Sequence, residues 1–354
     1  MKYSISLFLL QVLVFQGFLS GCHSTMAENR SDQKKPAMSN ADTTTFMRGL
    51  SFVGSPDPCT EADFDSVLAV GADCISLMPF AYVDSKEAKL SYQNLKWQWW
   101  GESPQGVETC IQHAKAKNIS CMIKPQLWID HGMFTGIFDQ PTDEAWKKVE
   151  ENYTSFILQF ATLSEKHTLP VFCIATELDT WASKRPDYWR NLIVEIRKVY
   201  KGRLVYACNW DAYRRIPFWS ELDFVGIDAY FPLSEEMVPT LPVLQQGWEK
   251  LNAELSQLAD SLDKKILFTE WGYQAREFAT RDPWIEDNAI PLSEESQAAC
   301  YEALLSNCSK QSWWAGGFVW KWFPHNGNEP SQQHERFSPQ NRKALQVLEK
   351  HFKQ

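Results

Sequence analysis

The chain has 354 residues and a formal net charge of −9. That length carries one large domain or two modest ones with a real core, and the acidic balance argues against a nucleic-acid binder, which needs a basic face. Sixteen tryptophans exceed ordinary core usage and point to surfaces that stack on rings, sugars or partner proteins.

Lys2, the interrupted apolar run from Ile5 to Phe18, and Leu19-Ser20-Gly21-Cys22 supply a positive start, a hydrophobic segment and a small-residue cleavage site ending in cysteine. The pattern resembles a bacterial lipoprotein signal over residues 1–21, cleaved before Cys22, with lipid added to the Cys22 thiol. An ordinary secretory signal cleaved nearby is the alternative. The apolar stretch is short and extreme for a transmembrane anchor. Residues 22–45 are polar and read as a lipidated cysteine with a flexible tether. The expectation is an exported monomer held at the cell envelope, on the outer membrane or cell surface, by its lipid.

From residue 46 to 352, short β-rich runs alternate with amphipathic stretches. The expected strands are Met47–Val53, Asp73–Pro79, Ser120–Leu127, Val171–Thr176, Arg203–Asn209, Asp223–Tyr230, Lys265–Glu270 and Gly316–Lys321. Helix signals lie between them. Thr60 to Asp63 resembles a capping box, and Ser103-Pro104 and Ser338-Pro339 each pair an N-cap with proline at the first helical position. Thr142, Pro186, Leu241 and Ser293 open further helical stretches, whereas PFWSEL after the fifth strand is too short for one. Eight β-then-α units predict a single α/β catalytic domain, a (β/α)₈ TIM barrel. A doubly wound open sheet is the rival, but the Gly-rich phosphate turn it would carry is missing.

Eight cysteines remain once Cys22 is set aside. An even count in an exported chain invites disulfides. Cys74, Cys121, Cys173 and Cys208 nevertheless sit in apolar strand-like runs, where cysteine behaves as a small hydrophobe, and free thiols are the preferred reading. No CxxC or Cys/His cluster offers a zinc site, and no metal or cofactor is expected.

Two strands end in acid: VFCIATELD places Glu177 after the fourth, and KKILFTEWGY places Glu270 at the end of the seventh. A barrel builds its active site at these C-terminal ends. Strand alternation groups Cys173, Ala175 and Glu177 on one face, and Phe268 with Glu270, so both carboxyls are expected to point inward. Two facing carboxyls suit glycoside hydrolysis, one protonated to release the leaving group and one ionised to attack; about 5–5.5 Å between them gives retention, and about 6.5–9.5 Å inversion. The alternative for either residue is an ion pair at the barrel rim.

The motifs RGLSF, IKPQLW, ATELD, NWD, GIDAYFPL, FTEWGY and GGFVWKWFP fall in order at successive strand ends. In that order they resemble glycoside hydrolase family 113, a group of β-mannanases and related mannan-cleaving enzymes within the retaining (β/α)₈ clan. The likeness spans roughly residues 46–350. It implies Glu177 as acid/base, Glu270 as nucleophile and a metal-free double displacement on a polysaccharide or oligosaccharide. Many clan members carry asparagine before the acid/base; here Thr176 stands there, so recognition of the sugar 2-hydroxyl falls to another residue.

Tyr230 shares inward parity with Gly226 and Asp228, and its phenol is placed to donate to Glu270; packing at the rim is the alternative. Trp320 on the eighth strand reads as the floor under the sugar, or as core. Trp128, Trp181 and Trp210 follow strands three, four and five and are candidate subsite or packing residues. Lys124 shares parity with Gln126 and Trp128, and if buried it needs a partner, Asp228 or a substrate hydroxyl. Asn209 suits a sugar hydroxyl or a loop cap. His131 is a candidate contact or a solvated loop residue. Besides β-mannan hydrolysis, cleavage of another β-linked glycan and a non-catalytic carbohydrate-binding barrel stand as alternatives. A metal-dependent hydrolase would need converging histidines, and the seven in this chain are scattered.

Overall fold

The computed structural model describes residues 46–93, 95–324 and 335–354. The signal segment, Cys22 and the tether expected over residues 1–45 lie outside them. The described chain opens with β1 (Met47–Phe52). Thr60 then donates its backbone N–H to the Asp63 carboxylate at 2.7 Å, realising the expected capping box. A 3-10 turn (Glu61–Phe64) begins there and runs into α1 (Asp65–Ala69). Next come β2 (Cys74–Leu77), β3 (Phe80–Asp84) and β4 (Lys89–Ser91). α2 (Pro104–Ala116) starts as its sequence predicts, with Ser103 Oγ accepting from the Gly106 N–H at 3.1 Å and Pro104 at a position that needs no donor.

After β5 (Ser120–Ile123) and β6 (Gln126–Ile129), Thr142 caps α3 (Asp143–Lys166) by accepting from the Ala145 N–H. This helix buries Trp146, Val149, Tyr153, Phe156, Ile157 and Phe160, a stripe at helical spacing that faces the core. The remaining elements are β7 (Val171–Thr176), α4 (Asp179–Lys184), α5 (Pro186–Val199), β8 (Arg203–Asn209), β9 (Val225–Asp228), α6 (Leu241–Leu262), β10 (Ile266–Trp271), α7 (Glu294–Cys308), β11 (Trp314–Trp322) and α8 (Lys343–Phe352).

Eight strands close into a parallel barrel in the order β1-β2-β5-β7-β8-β9-β10-β11 and back to β1, the expected (β/α)₈ architecture. Its interior is apolar toward the strand N-termini, where Met47, Cys74, Met122, Val205, Leu267 and Phe318 form a cluster separate from the outer core under the helices. Gly49 is bare there because Phe318 takes its space: a Cβ would stand 2.4 Å from that ring. Toward the C-terminal ends the buried residues turn polar, with Ser51, Ser76, Lys124 and Asp228 all inaccessible to solvent. The barrel interior is therefore apolar at one end and charged at the other. The eight cysteines among the described residues are buried free thiols, and the Cys59 and Cys110 sulfurs approach to 2.9 Å.

Three expectations are corrected. The third barrel strand stops at Ile123 rather than running to Leu127. Pro125 has no N–H for the ladder, and Gln126–Ile129 leaves the barrel to pair with β3, which pairs with β4, as a separate three-stranded sheet. The last helix begins at Lys343 rather than after Ser338-Pro339, because Ser338 is buried and its Oγ bonds Gln340 instead of capping a helix. The parity assigned to the seventh strand also fails. Phe268 packs outward against Trp248, Trp313 and Trp314, while Leu267 belongs to the interior cluster. Glu270 reaches the interior because the register with β9 shifts between Phe268 and Glu270, a bulge that re-aims the side chain.

Candidate active site

Glu270 is the most heavily bonded carboxylate of the barrel mouth. Lys124 Nζ donates to its Oε1 at 2.5 Å, Gln126 Nε2 donates to the same oxygen at 3.4 Å, and the Tyr230 hydroxyl donates to Oε2 at 2.7 Å. Three donors on two oxygens fix the carboxyl plane and match an anion. The ring of support continues outward. Lys124 Nζ also lies 3.5 Å from Asp228 Oδ2, and Thr269 Oγ1 donates to Asp228 Oδ1 at 2.7 Å. Lys124 and Asp228 are wholly buried and Glu270 nearly so. A buried ammonium is tolerable only when paired. Burial depresses the Lys124 pKa, but the Asp228 and Glu270 carboxylates outweigh it and the net shift is upward. Burial, joined by the Glu270 charge, lifts Asp228 to about 7 against the opposing pull of Lys124 and Thr269.

Glu177 stands in different surroundings. It follows β7 directly, with φ at +50°, a left-handed conformation uncommon outside glycine. Its N–H donates to the Ala207 carbonyl at 2.7 Å, holding the strand end against β8. Among the described residues no cation lies within ion-pair reach of its carboxyl. Desolvation raises its pKa well above the usual carboxylate range, and the Asp228 and Glu270 charges raise it further, with Lys124 opposing. Close by, Asp179 is lifted to about 6 by burial, against a hydrogen bond from the Tyr206 hydroxyl at 3.2 Å.

The expected aromatic residues divide. Trp320 is half-buried and lines a cavity of about 720 Å³ together with Trp128, Phe80, Met78, Trp99 and Glu102. Trp128 is 48% exposed, so both rings are presented to solvent rather than to core. Trp210 is half-buried and stacks on Trp284 with centroids 5.1 Å apart. Trp181 is not a subsite residue. It is fully buried among Phe138, Trp146, Tyr153, Tyr188 and Trp189, because the turn of α4 carries it away from the strand end and under α3 and α5. Asn209 is half-buried at the end of β8, in register with Asp228 of β9. His131 is exposed in the loop after β6.

Sequence reasoning missed the roles of Gln126, Thr269 and Glu102. Gln126 and Lys124 share a parity that survives the break at Pro125, which was the available signal. Thr269 carried none, because the bulge beside it has no mark in the sequence.

The sequence pattern of glycoside hydrolase family 113 matches residues 56–341. The chain belongs to that family. It is a glycoside hydrolase, and carbohydrate is its substrate class. Among solved structures, a family 113 β-mannanase from Alicyclobacillus acidocaldarius in complex with ManMIm is 19% identical, with a TM-score of 0.75 over 87% of this chain and 97% of that one. A family 113 β-1,4-mannanase is 19% identical, with a TM-score of 0.72 over 87% and 99%. A β-glucuronidase from Ruminococcus gnavus in complex with D-glucuronic acid is 12% identical, with a TM-score of 0.57 over 87% and 49%. At these identities the likeness speaks for the barrel alone. No curated protein sequence matches the chain.

Proposed function

We propose that this family 113 glycoside hydrolase cleaves β-1,4-mannosidic linkages in mannan-type chains by a retaining double displacement. The observation that carries the mechanism is the contrast between its two carboxyls. Glu270 is clamped by Lys124, Gln126 and Tyr230, while Glu177 has its pKa raised despite the pull of Lys124 and, among the described residues, has no cation within ion-pair reach. Environments that drive two carboxyls apart in this way assign the base-like and acid-like roles. Glu270 Oε attacks the anomeric carbon as Glu177 gives its proton to the departing glycosidic oxygen. The resulting glycosyl ester is opened by a water whose proton passes to Glu177, which restores both groups.

Tyr230 and Lys124 act by holding the Glu270 carboxylate for in-line attack. Trp320, half-buried and lining the cavity, offers its ring face to the sugar. The substrate assignment rests on the family, with β-mannanases among the solved structures that share its barrel. The N-terminal pattern supports a further element of the reading, an exported enzyme tethered by lipid at Cys22 to the cell envelope.

The decisive experiment is proton NMR of fresh enzyme acting on β-1,4-mannohexaose. The expected result is that newly formed reducing ends appear first as the β-anomer and then mutarotate. First appearance of the α-anomer would overturn the double displacement. Cleavage of β-glucan or xylan oligomers with mannan untouched would overturn the substrate.

A further inference from the structure

The three-stranded sheet outside the barrel has a division of faces that core packing alone does not require. Ala81, Val83, Leu90, Leu127 and Ile129 are all buried, and by strand alternation they form one face. The opposite face carries Phe80 and Gln126, then Tyr82, Trp128 and Ser91, then Asp84 and Lys89, aligned across the three strands by their register. This face begins at the nucleophile, since Gln126 bonds Glu270. It runs outward for four residues of β3, about 13 Å, which is longer than one sugar ring.

A groove of about 490 Å³ lies on its outer part, lined by Tyr82, Lys89, Trp97, Trp128, Asp130 and His131 among others. Trp128 also lines the 720 Å³ cavity shared with Trp320, so the two spaces meet at one indole. The boundary between them is built. Tyr82, in the groove, donates its hydroxyl to Glu102, in the cavity, at 2.6 Å. Trp97 is 61% exposed, yet it is held edge-on against Tyr82 with centroids 4.2 Å apart.

We propose that this outer sheet face is a distal glycan platform, holding sugar units of the substrate chain beyond those at the cleavage point. The proposal rests on the glycan-hydrolase reading and adds which part of the fold selects long chains. Trp97 and Trp128 present flat apolar faces to successive sugar rings. Asp84 and Asp130 each commit one oxygen to loop amides and keep the other for a hydroxyl, with Lys89, Ser91 and His131 as further polar partners. Apolar faces ringed by such groups suit a neutral, hydroxyl-rich chain rather than a hydrophobic protein partner.

The test compares full-length wild type with Trp97→Ala and Lys89→Ala on two substrate lengths, an aryl β-mannobioside and manno-oligosaccharides of four to seven units. Both replaced residues are exposed and outside the catalytic cluster. In the wild type, kcat/KM is expected to rise with chain length. In Trp97→Ala it should fall about threefold to tenfold on the longest oligomers, the scale of one aromatic contact, chiefly through KM and with the aryl substrate unchanged. Equal losses on short and long substrates, or no loss on either, would overturn the platform. A wild type inert on all mannan oligomers would instead overturn the proposed substrate, and the same two-length comparison on the β-glycan that it does cleave then decides the platform.

Discussion

Glu177 and Glu270 end two strands of one barrel, and nearly everything around them differs. Glu270 sits on a bulged strand, is almost fully buried, and receives hydrogen bonds from a lysine, a glutamine and a tyrosine. Glu177 has a left-handed backbone and is half-buried; desolvation and the repulsion of Asp228, Glu270 and Asp179 act on it, with an opposing pull from Lys124. Identical side chains thus stand in opposite surroundings by placement. Clamping suits a group that must stay anionic and aligned, whereas desolvation without a cation suits a group that must carry a proton until the leaving group departs.

Exchanging the two environments' benefits should give the largest effects. Glu270→Gln is expected to lower kcat by roughly 10⁵ or more, the scale of removing a nucleophile. Glu177→Gln should cost roughly 10²–10⁴ on poor leaving groups and little for the first step on a dinitrophenyl glycoside, whose departure needs no proton. Added azide should then restore turnover in the Glu177 variant and give a glycosyl azide of retained configuration. In the wild type, kcat/KM should fall as pH rises through the raised Glu177 pKa, because the donor loses its proton there, and the Glu177→Gln variant should lose that alkaline limb. Azide products of inverted configuration from this variant would reverse the assignment of the two glutamates.

A smaller effect is expected from breaking the clamp while keeping both acids. Lys124→Met leaves Asp228 and Glu270 without their shared cation. It should cost about 3–5 kcal/mol of stability, as removal of one partner from a buried pair does, and about 10²-fold or more in kcat, comparable to losing an electrostatic donor. Urea denaturation and steady-state kinetics measure the two together; wild-type kcat in a folded Lys124→Met enzyme would show that Tyr230 and Gln126 suffice. The smallest effect on catalysis should come from Trp181→Ala. Removing this ring from the aromatic cluster under α3 and α5 should cost about 3–5 kcal/mol of stability with kcat kept within a few-fold, whereas a subsite tryptophan would show the reverse pattern.

Much of this site was legible in the chain. VFCIATELD and KKILFTEWGY carry polar ends on runs otherwise fit for burial, and in a parallel barrel that conflict has few solutions. The inward parity of Gly226, Asp228 and Tyr230 and of Lys124 and Gln126 held, and their hydrogen bonds follow from it. The parity of Phe268 and Glu270 did not hold, although Glu270 does reach the barrel interior and meets Lys124. The bulge that turns it inward arises from the mismatch in register between β9 and β10, which no local pattern encodes. Trp181 was ambiguous for the same reason, since a residue five positions after the end of β7 can face the mouth or the helices according to how the next turn winds.

The sequence by itself determined the alternation of strands and helices, hence the barrel, and the identities of the two acids at its mouth. Those depend on periodicity, capping and turn chemistry, which act over a few residues. Only the tertiary structure decided that Lys124, Tyr230 and Gln126 converge on Glu270, that Glu177 has no cation within ion-pair reach among the described residues, and that β3, β4 and β6 form a face leading away from Glu270. Such relations join residues up to 146 positions apart, and they are set by how strands register and how deeply groups are withdrawn from water.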